Sequence, residues 1–269
     1  MVTLVLPRLV SFEGAGRRSS SVVERNVTAL RSAYWVVMAT GFLEPIVYLF
    51  SIGVGVGRLV GTLTLPDGKV VAYSAFVAPA MLAASAMTGA LSETTFNFFG
   101  KMKFMKLYDG ILATPVRPIE IALGELAWAM LRGNLYAAAF LVVMVVMGLT
   151  SAGLAVVAFL AAMLVGFAFG GAGMALSTFM RSWQDFDLMA SAQFALFLFS
   201  GTFVPAHRYP SVLRWVVEVT PLYRSVDLVR GVSTGSWSWV QLVDVGYLIA
   251  VFVLGLLVAG RRMERLLCK

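Results

Sequence analysis

The sequence predicts an all-α integral membrane protein, and three observations carry that prediction. Of the 269 residues, 59% are hydrophobic and only 13% charged, against about 25% charged in a soluble domain. The mean hydropathy is +0.86. Six apolar runs, at Ala33–Gly57, Tyr73–Phe96, Glu125–Leu149, Gly153–Met180, Phe186–Val204 and Trp239–Gly260, are close to the ~20 residues that carry a helix across a bilayer. Helices satisfy their own backbone polar groups, and these runs are too long and continuous for barrel strands. The expected organisation is an N-terminal segment (1–32), a six-helix membrane domain (33–260) and a basic tail (261–269).

The N-terminal segment has no signal-peptide pattern, since Pro7, Glu13 and a long polar stretch precede the first apolar run. Within it, Ser21 and Glu24 have capping-box spacing. Val23, Val27 and Leu30 share one face, and Arg18, Arg25 and Arg31 suit lipid headgroups. This predicts an interfacial helix over Ser19–Arg31 on the inner leaflet, with a short solvated helix as the alternative. The first run then contains Glu44, followed by Pro45. Eleven residues after Ala33, Glu44 sits about 16 Å deep, where an unpaired carboxylate costs several kcal/mol. Arg132, in the third run, would enter from the same side to about 10 Å. A Glu44–Arg132 contact and a protonated Glu44 both remain open. Gly57 with Gly61, and Gly166 with Gly170, Gly171 and Gly173, have the spacing of close helix packing.

Two connecting segments carry more than connection requires. Between the second and third runs the chain reads FNFFGKMKFMKLYDGILATPVRPIEIALGEL, basic and interleaved with large apolar residues. Phe104, Leu107, Ile111 and Leu112 form a short apolar face. Thr114-Pro115 ends that helix and Pro118 starts another. Exposed apolar surface beside charge marks a partner site, with headgroup packing as the alternative. Before the last run, Pro210 and Pro221 each suit the first position of a helix, Thr220 suits a cap, and Gly231 suits a terminus. Two short amphipathic helices are expected there, among Trp215, Tyr223, Trp237 and Trp239 as an aromatic belt. With the N-terminus inside, the inner segments hold fourteen Lys and Arg and the outer ones six, which supports both termini inside.

The same excess of inner cations explains the net charge of +7 without a nucleic-acid partner. There is no G-x-x-x-x-G-K-[ST] phosphate loop, so the chain is not expected to hydrolyse ATP. Neither cofactor nor metal is expected on it. His207 stands alone among the outer residues, and Cys268 reads as a free thiol. Asp185 and Asp187 form a D-x-D that could hold a metal under a nucleotide-sugar. They also flank a helix start, where carboxylates favour the dipole.

Taken together, six spans, a basic loop after the second and short helices before the last resemble the type-2 ABC exporter permeases. The nearest branch resembles the nodulation-factor (lipo-oligosaccharide) export permeases, with the daunorubicin-resistance drug permeases further off. The stretches that carry the resemblance are GFLEPIVYLFSIGVGVG, YSAFVAPAMLAASAMTGALSETTFNFF, DGILATPVRPIEIALGELAWAMLRG and LFLFSGTFVPAHRYP followed by TPLYRSVDLVRG. The last contributes Pro205, Pro221, Asp227 and Arg230 to an outer signature. The resemblance implies a permease in the bacterial cytoplasmic membrane, multi-pass and with both termini cytoplasmic. It pairs with a second copy or a sister permease and with two ABC ATPase subunits, which bind ATP and Mg. It also implies a coupling helix after the second span. Phe104, Leu107, Tyr108, Asp109 and Leu112 would form the docking surface, with Lys101, Lys103 and Lys106 steering acidic ATPase or lipid groups. Glu44 would face the pathway or the dimer seam. The rival readings are an ion-coupled secondary transporter and a membrane-embedded transferase using Asp185 and Asp187.

Overall fold

The computed structural model describes residues 43, 46–64, 68, 70–113 and 116–267. The Ser19–Arg31 helix, Glu44, Pro45 and Cys268 lie outside them. The first apolar run is helical over 46–50, passes through π-helical turns at Ser51–Val56 and closes at Gly57–Val60 (together α1). Gly61 ends it with a φ of +73°, a backbone that glycine adopts without steric cost. It turns the chain rather than packing against a second helix, as its spacing from Gly57 had suggested.

An antiparallel hairpin follows, Thr62–Thr64 (β1) against Val70–Ala72 (β2), with Leu63 opposite Val71. The all-α expectation omitted it. The signals were β-branched Thr and Val residues on either side of Pro66-Asp67-Gly68, a turn sequence.

The second run forms α2, Tyr73–Leu91, which continues through π-helical turns at Ser92–Asn97 and Gly100–Phe104. It makes one 32-residue helix, Tyr73–Phe104, past the expected end at Phe96, because the intervening sequence holds no proline. Thr94 and Thr95 donate their hydroxyls to the carbonyls of Ala90 (2.7 Å) and Leu91 (2.5 Å), back-bonds that bend a helix. After a turn come α3 (Leu107–Leu112), α4 (Pro118–Val146), α5 (Ala152–Ser177) and α6 (Asp185–Leu198). A 3₁₀ turn at Ala206–Arg208, α7 (Ser211–Val219), α8 (Pro221–Thr234) and α9 (Trp239–Leu267) complete the chain.

Among the described residues, α2 with its extension, α4, α5 and α9 are long and apolar enough to cross a membrane. The chain is a helical multi-pass membrane protein. Helix α6 is 14 residues long, about 21 Å, which falls short of a ~30 Å hydrocarbon core. The expected span Phe186–Val204 overran because the chain turns at Gly201, φ +70°. Conversely, α9 runs through the expected tail to Leu267. Arg262 anchors that extension, donating to Thr178 Oγ1 at 3.1 Å and lying 3.7 Å from the centre of the Phe179 ring.

Helix α5 is central, against α2, α4, α8 and α9. Its glycine patch is the reason. A Cβ on Gly170 would lie 2.8 Å from Leu126 of α4, and one on Gly171 would lie 2.8 Å from the Phe252 carbonyl of α9. One on Gly255 of α9 would overlap the Gly171 backbone. Without side chains, α5 and α9 approach backbone to backbone. Gly255→Leu should therefore lower the thermal unfolding midpoint in detergent, with overpacking worth about 1–3 kcal/mol or more. Gly246→Ala on the same helix meets nothing within 4 Å and should leave the midpoint unchanged. Equal behaviour of the two variants would refute a Gly171–Gly255 crossing.

Candidate functional site

Chemistry-bearing residues gather at the two ends of the bundle. At the first end, α2 runs out at Phe104 and the chain reverses at Lys106, whose φ of +47° makes it the non-glycine residue with positive φ among those described. Such a conformation persists where surrounding structure enforces it, and it concentrates at functional segments. Helix α3 follows. Glu120 accepts from the Arg117 N–H at 2.8 Å, and Pro118 occupies the first position of α4.

The structure divides the coupling residues expected here into three groups. Lys103, Lys106 and Asp109 are exposed, and Leu107 and Leu112 are half-buried. Lys101 is turned inward, donating to Glu125 of α4 at 2.6 Å. A lysine engaged there is spoken for within the chain and is poorly placed to steer an external acid. Tyr108 is fully buried, its ring 5.3 Å from that of Phe98, so it holds α3 against α2 rather than facing outward. The most exposed apolar residue at the tip is Met105, 73% exposed. Sequence reasoning passed over it because it falls off the helical face drawn through Phe104, Leu107 and Leu112. Phe104 is exposed on one side and stacked on Trp183 on the other, 4.9 Å between centroids and 24° between planes.

Arg132 of α4 pairs with Glu93 of α2 and also donates to the Tyr136 hydroxyl at 3.2 Å. Glu93 lies inside the expected second span, where the sequence reading singles out no acid. Its partner could be found by matching depths: Glu93 is 20 residues past Tyr73, about 30 Å along α2, near the end of α4 that carries Glu125 and Arg132. The Glu44–Arg132 contact left open by the sequence falls on a residue outside those described, and the Arg132 guanidinium is already paired.

At the opposite end, Pro205 leads into the 3₁₀ turn. Pro221 opens α8, with Thr220 accepting from the Tyr223 N–H at 3.3 Å as expected of a cap. Gly231 does not end α8. It lies inside the helix beneath Gln241, and Gly235, φ +70°, is the terminus. Arg230 donates to the carbonyls of Gly201 (2.9 Å) and Phe76 (3.1 Å), and its guanidinium lies 3.8 Å from the centre of the Phe76 ring. Burial pushes Arg230 down to about 10, partly offset by Asp227, so it stays charged at neutral pH. Burial and the nearby Asp227 raise Tyr223 to about 12, which keeps its hydroxyl neutral. The outer signature is thus a clasp joining α2, the Gly201 turn and α8. Arg224 of α8 adds a contact to Asp244 of α9 at 3.1 Å.

Within the D-x-D, the Asp185 carboxylate has a local role. Asp185 accepts from the backbone N–H groups of Arg181 (2.6 Å) and Ser182 (3.1 Å), which ties the turn before α6 to the first residue of the helix. Among the described residues no set of three His, Cys, Asp or Glu is placed to hold a metal.

The profile of the family described as "ABC-2 type transporter" matches residues 20–233. Nodulation protein J of Rhizobium leguminosarum bv. trifolii is 32% identical over 254 residues, covering 91% of this chain and 94% of the relative. Nodulation protein J of Rhizobium meliloti (strain 1021) is 31% identical over 252 residues, 90% and 93% of the two chains. The protein of the same name from Rhizobium leguminosarum bv. viciae is 29% identical over 250 residues, 93% and 95%.

The Glu93–Arg132 ion pair between α2 and α4 makes a direct prediction. Glu93→Gln leaves the Arg132 charge in a partly buried site and should destabilise the bundle by about 1–3 kcal/mol. The reversed pair, Glu93→Arg with Arg132→Glu, should be more stable than the summed losses of the two single reversals allow when thermal unfolding is compared across the parent, Glu93→Arg, Arg132→Glu and the double variant. Additive losses in the double variant would show that the pair is not coupled.

Proposed function

The chain belongs to the ABC-2 type transporter family, and from that premise we propose how it works and what it carries. It is the permease subunit of an ABC exporter and lacks an ATPase domain of its own; its partner is an ABC ATPase. Our reading of the cargo is a lipid-linked saccharide, glycolipid or amphiphilic drug moved outward across a bacterial cytoplasmic membrane. The resemblance to lipo-oligosaccharide permeases and similarity to the Nodulation protein J relatives support it. The complex is read as two permeases, identical or sister, with two ATPases that bind ATP and Mg, both permease termini being cytoplasmic and the spans in contact with membrane lipid.

The coupling reading rests on one observation: the exposed tip Lys103–Met105–Lys106 at the enforced turn before α3. An apolar side chain flanked by two lysines suits a socket with an acidic rim. ATP binding would draw the ATPases together and displace this tip. The paired charges of α2 and α4 would carry the displacement into the membrane with both helices moving as a unit. The secondary-transporter and transferase readings gain no support; Asp185, central to the latter, is engaged with the backbone of the turn before α6.

Met105→Glu combined with Lys106→Glu should reduce co-purified ATPase about tenfold, as for loss of a central interface residue. Undiminished co-purification and export would place docking elsewhere. Glu44, read as facing the pathway or the dimer seam, gives a separate expectation: Glu44→Gln should lower export or weaken permease pairing. Unchanged export and pairing would remove it from both roles.

A further inference from the structure

Helix α6 is fastened differently from the other long helices. None of its residues is buried; Met189, Leu196 and Phe197 are only partly covered by the core. A groove of about 370 Å³ lies between it and α2, lined by Ser85 and Thr88 on one side and Gln193 and Phe194 on the other. One hydrogen bond crosses there, Gln193 Nε2 to Thr88 Oγ1 at 2.9 Å, and it is exposed. A helix with so little buried surface has little to resist its displacement.

Its first turn is the exception. Trp183, just before α6, stacks on Phe104 and lies 4.9 Å from Phe96 and 5.5 Å from Phe99. Phe186, in the first turn, lies 5.6 Å from Phe96 and 5.2 Å from Phe99. The Asp185 carboxylate, which accepts from the backbone N–H groups of Arg181 and Ser182, holds the turn that presents Trp183 and Phe186 to the same cluster. Phe99 is fully buried at its centre. Three of the five rings come from the end of α2 and two from the entry to α6. Phe104 stands two residues before the enforced turn at Lys106.

We propose that the Trp183–Phe104 stack is the mechanical link through which displacement of the coupling tip reaches α6 and changes the groove it borders. Trp183 is then a positioning residue for transport: it acts through α6 and touches no cargo. Packed aromatic rings suit this task because they resist compression and keep a defined geometry while one element slides on another. The inference rests on the reading that the Lys103–Lys106 tip meets the ATPase.

The test uses the assembled permease–ATPase complex in proteoliposomes, in a Cys268→Ser background with spin labels at Leu188→Cys on α6 and Leu131→Cys on α4. In the parent complex, a non-hydrolysable ATP analogue should shift the label-to-label distance. Trp183→Ala should abolish the shift and lower export per ATP hydrolysed about tenfold, while the ATPase stays bound. Trp183→Phe should preserve most of both. Phe104→Ala should likewise abolish the distance shift, and in complexes that retain the ATPase the Phe104→Ala/Trp183→Ala double variant should shift no less than either single. A normal shift and normal export in Trp183→Ala would overturn the link. Loss of the ATPase from that variant would also overturn it, by making Trp183 a docking residue. Failure of the coupling reading itself shows separately, as a complex that survives Met105→Glu with Lys106→Glu.

Discussion

Charge inside an apolar bundle must find charge, and that constraint sets how α2 and α4 lie together. Helix α2 carries Glu93 and then Lys101; α4 carries Glu125 and then Arg132. The two run antiparallel, so each acid meets a base. Sliding one helix by a turn would leave four ionisable groups unpaired, at a cost of several kcal/mol. The register of the pair follows from this, and with it the direction in which Phe104, Lys106 and α3 leave the end of α2.

The rest of the bundle is arranged around that fixed pair with graded attachment. Helix α5 is pressed against α4 and α9 through glycines and cannot shift without backbone collision. Helix α8 is tied to α2 and the Gly201 turn by Arg230, which donates to the carbonyl of Phe76 in α2 and to that of Gly201 in the turn. Helix α6, between these anchored ends, buries none of its own residues and is held by aromatic rings at one end and by the turn at Gly201 at the other. The proposed coupling at one end calls for both properties: a body that transmits force and a wall that yields to it.

Much of this was legible in the sequence. Apolar run lengths located four of the spanning helices to within a few residues at most ends. The proline and threonine at 220–221 marked the start of α8, and the glycine patch of α5 marked close packing. The misreadings have physical causes. Helix α2 runs past the expected end at Phe96 because no proline interrupts it and Lys101, paired with Glu125 of α4, does not have to leave the bundle. Helix α6 was placed too long because hydropathy does not register the capture of the Gly201 carbonyl by an arginine 29 residues away. Tyr108 was assigned outward because a short amphipathic helix has two faces that composition alone leaves equal.

By itself the sequence determined the membrane class, the helical elements, the separation of a basic end from an aromatic end, and the absence of a phosphate loop. These depend on local composition and on residues a few positions apart, which a single chain displays directly. The tertiary structure alone decided which charges pair, which residues of the α3 region face outward, and that Trp183 reaches across to Phe104. Each of these joins residues far apart along the chain, and only the packing of the bundle sets the distance between them.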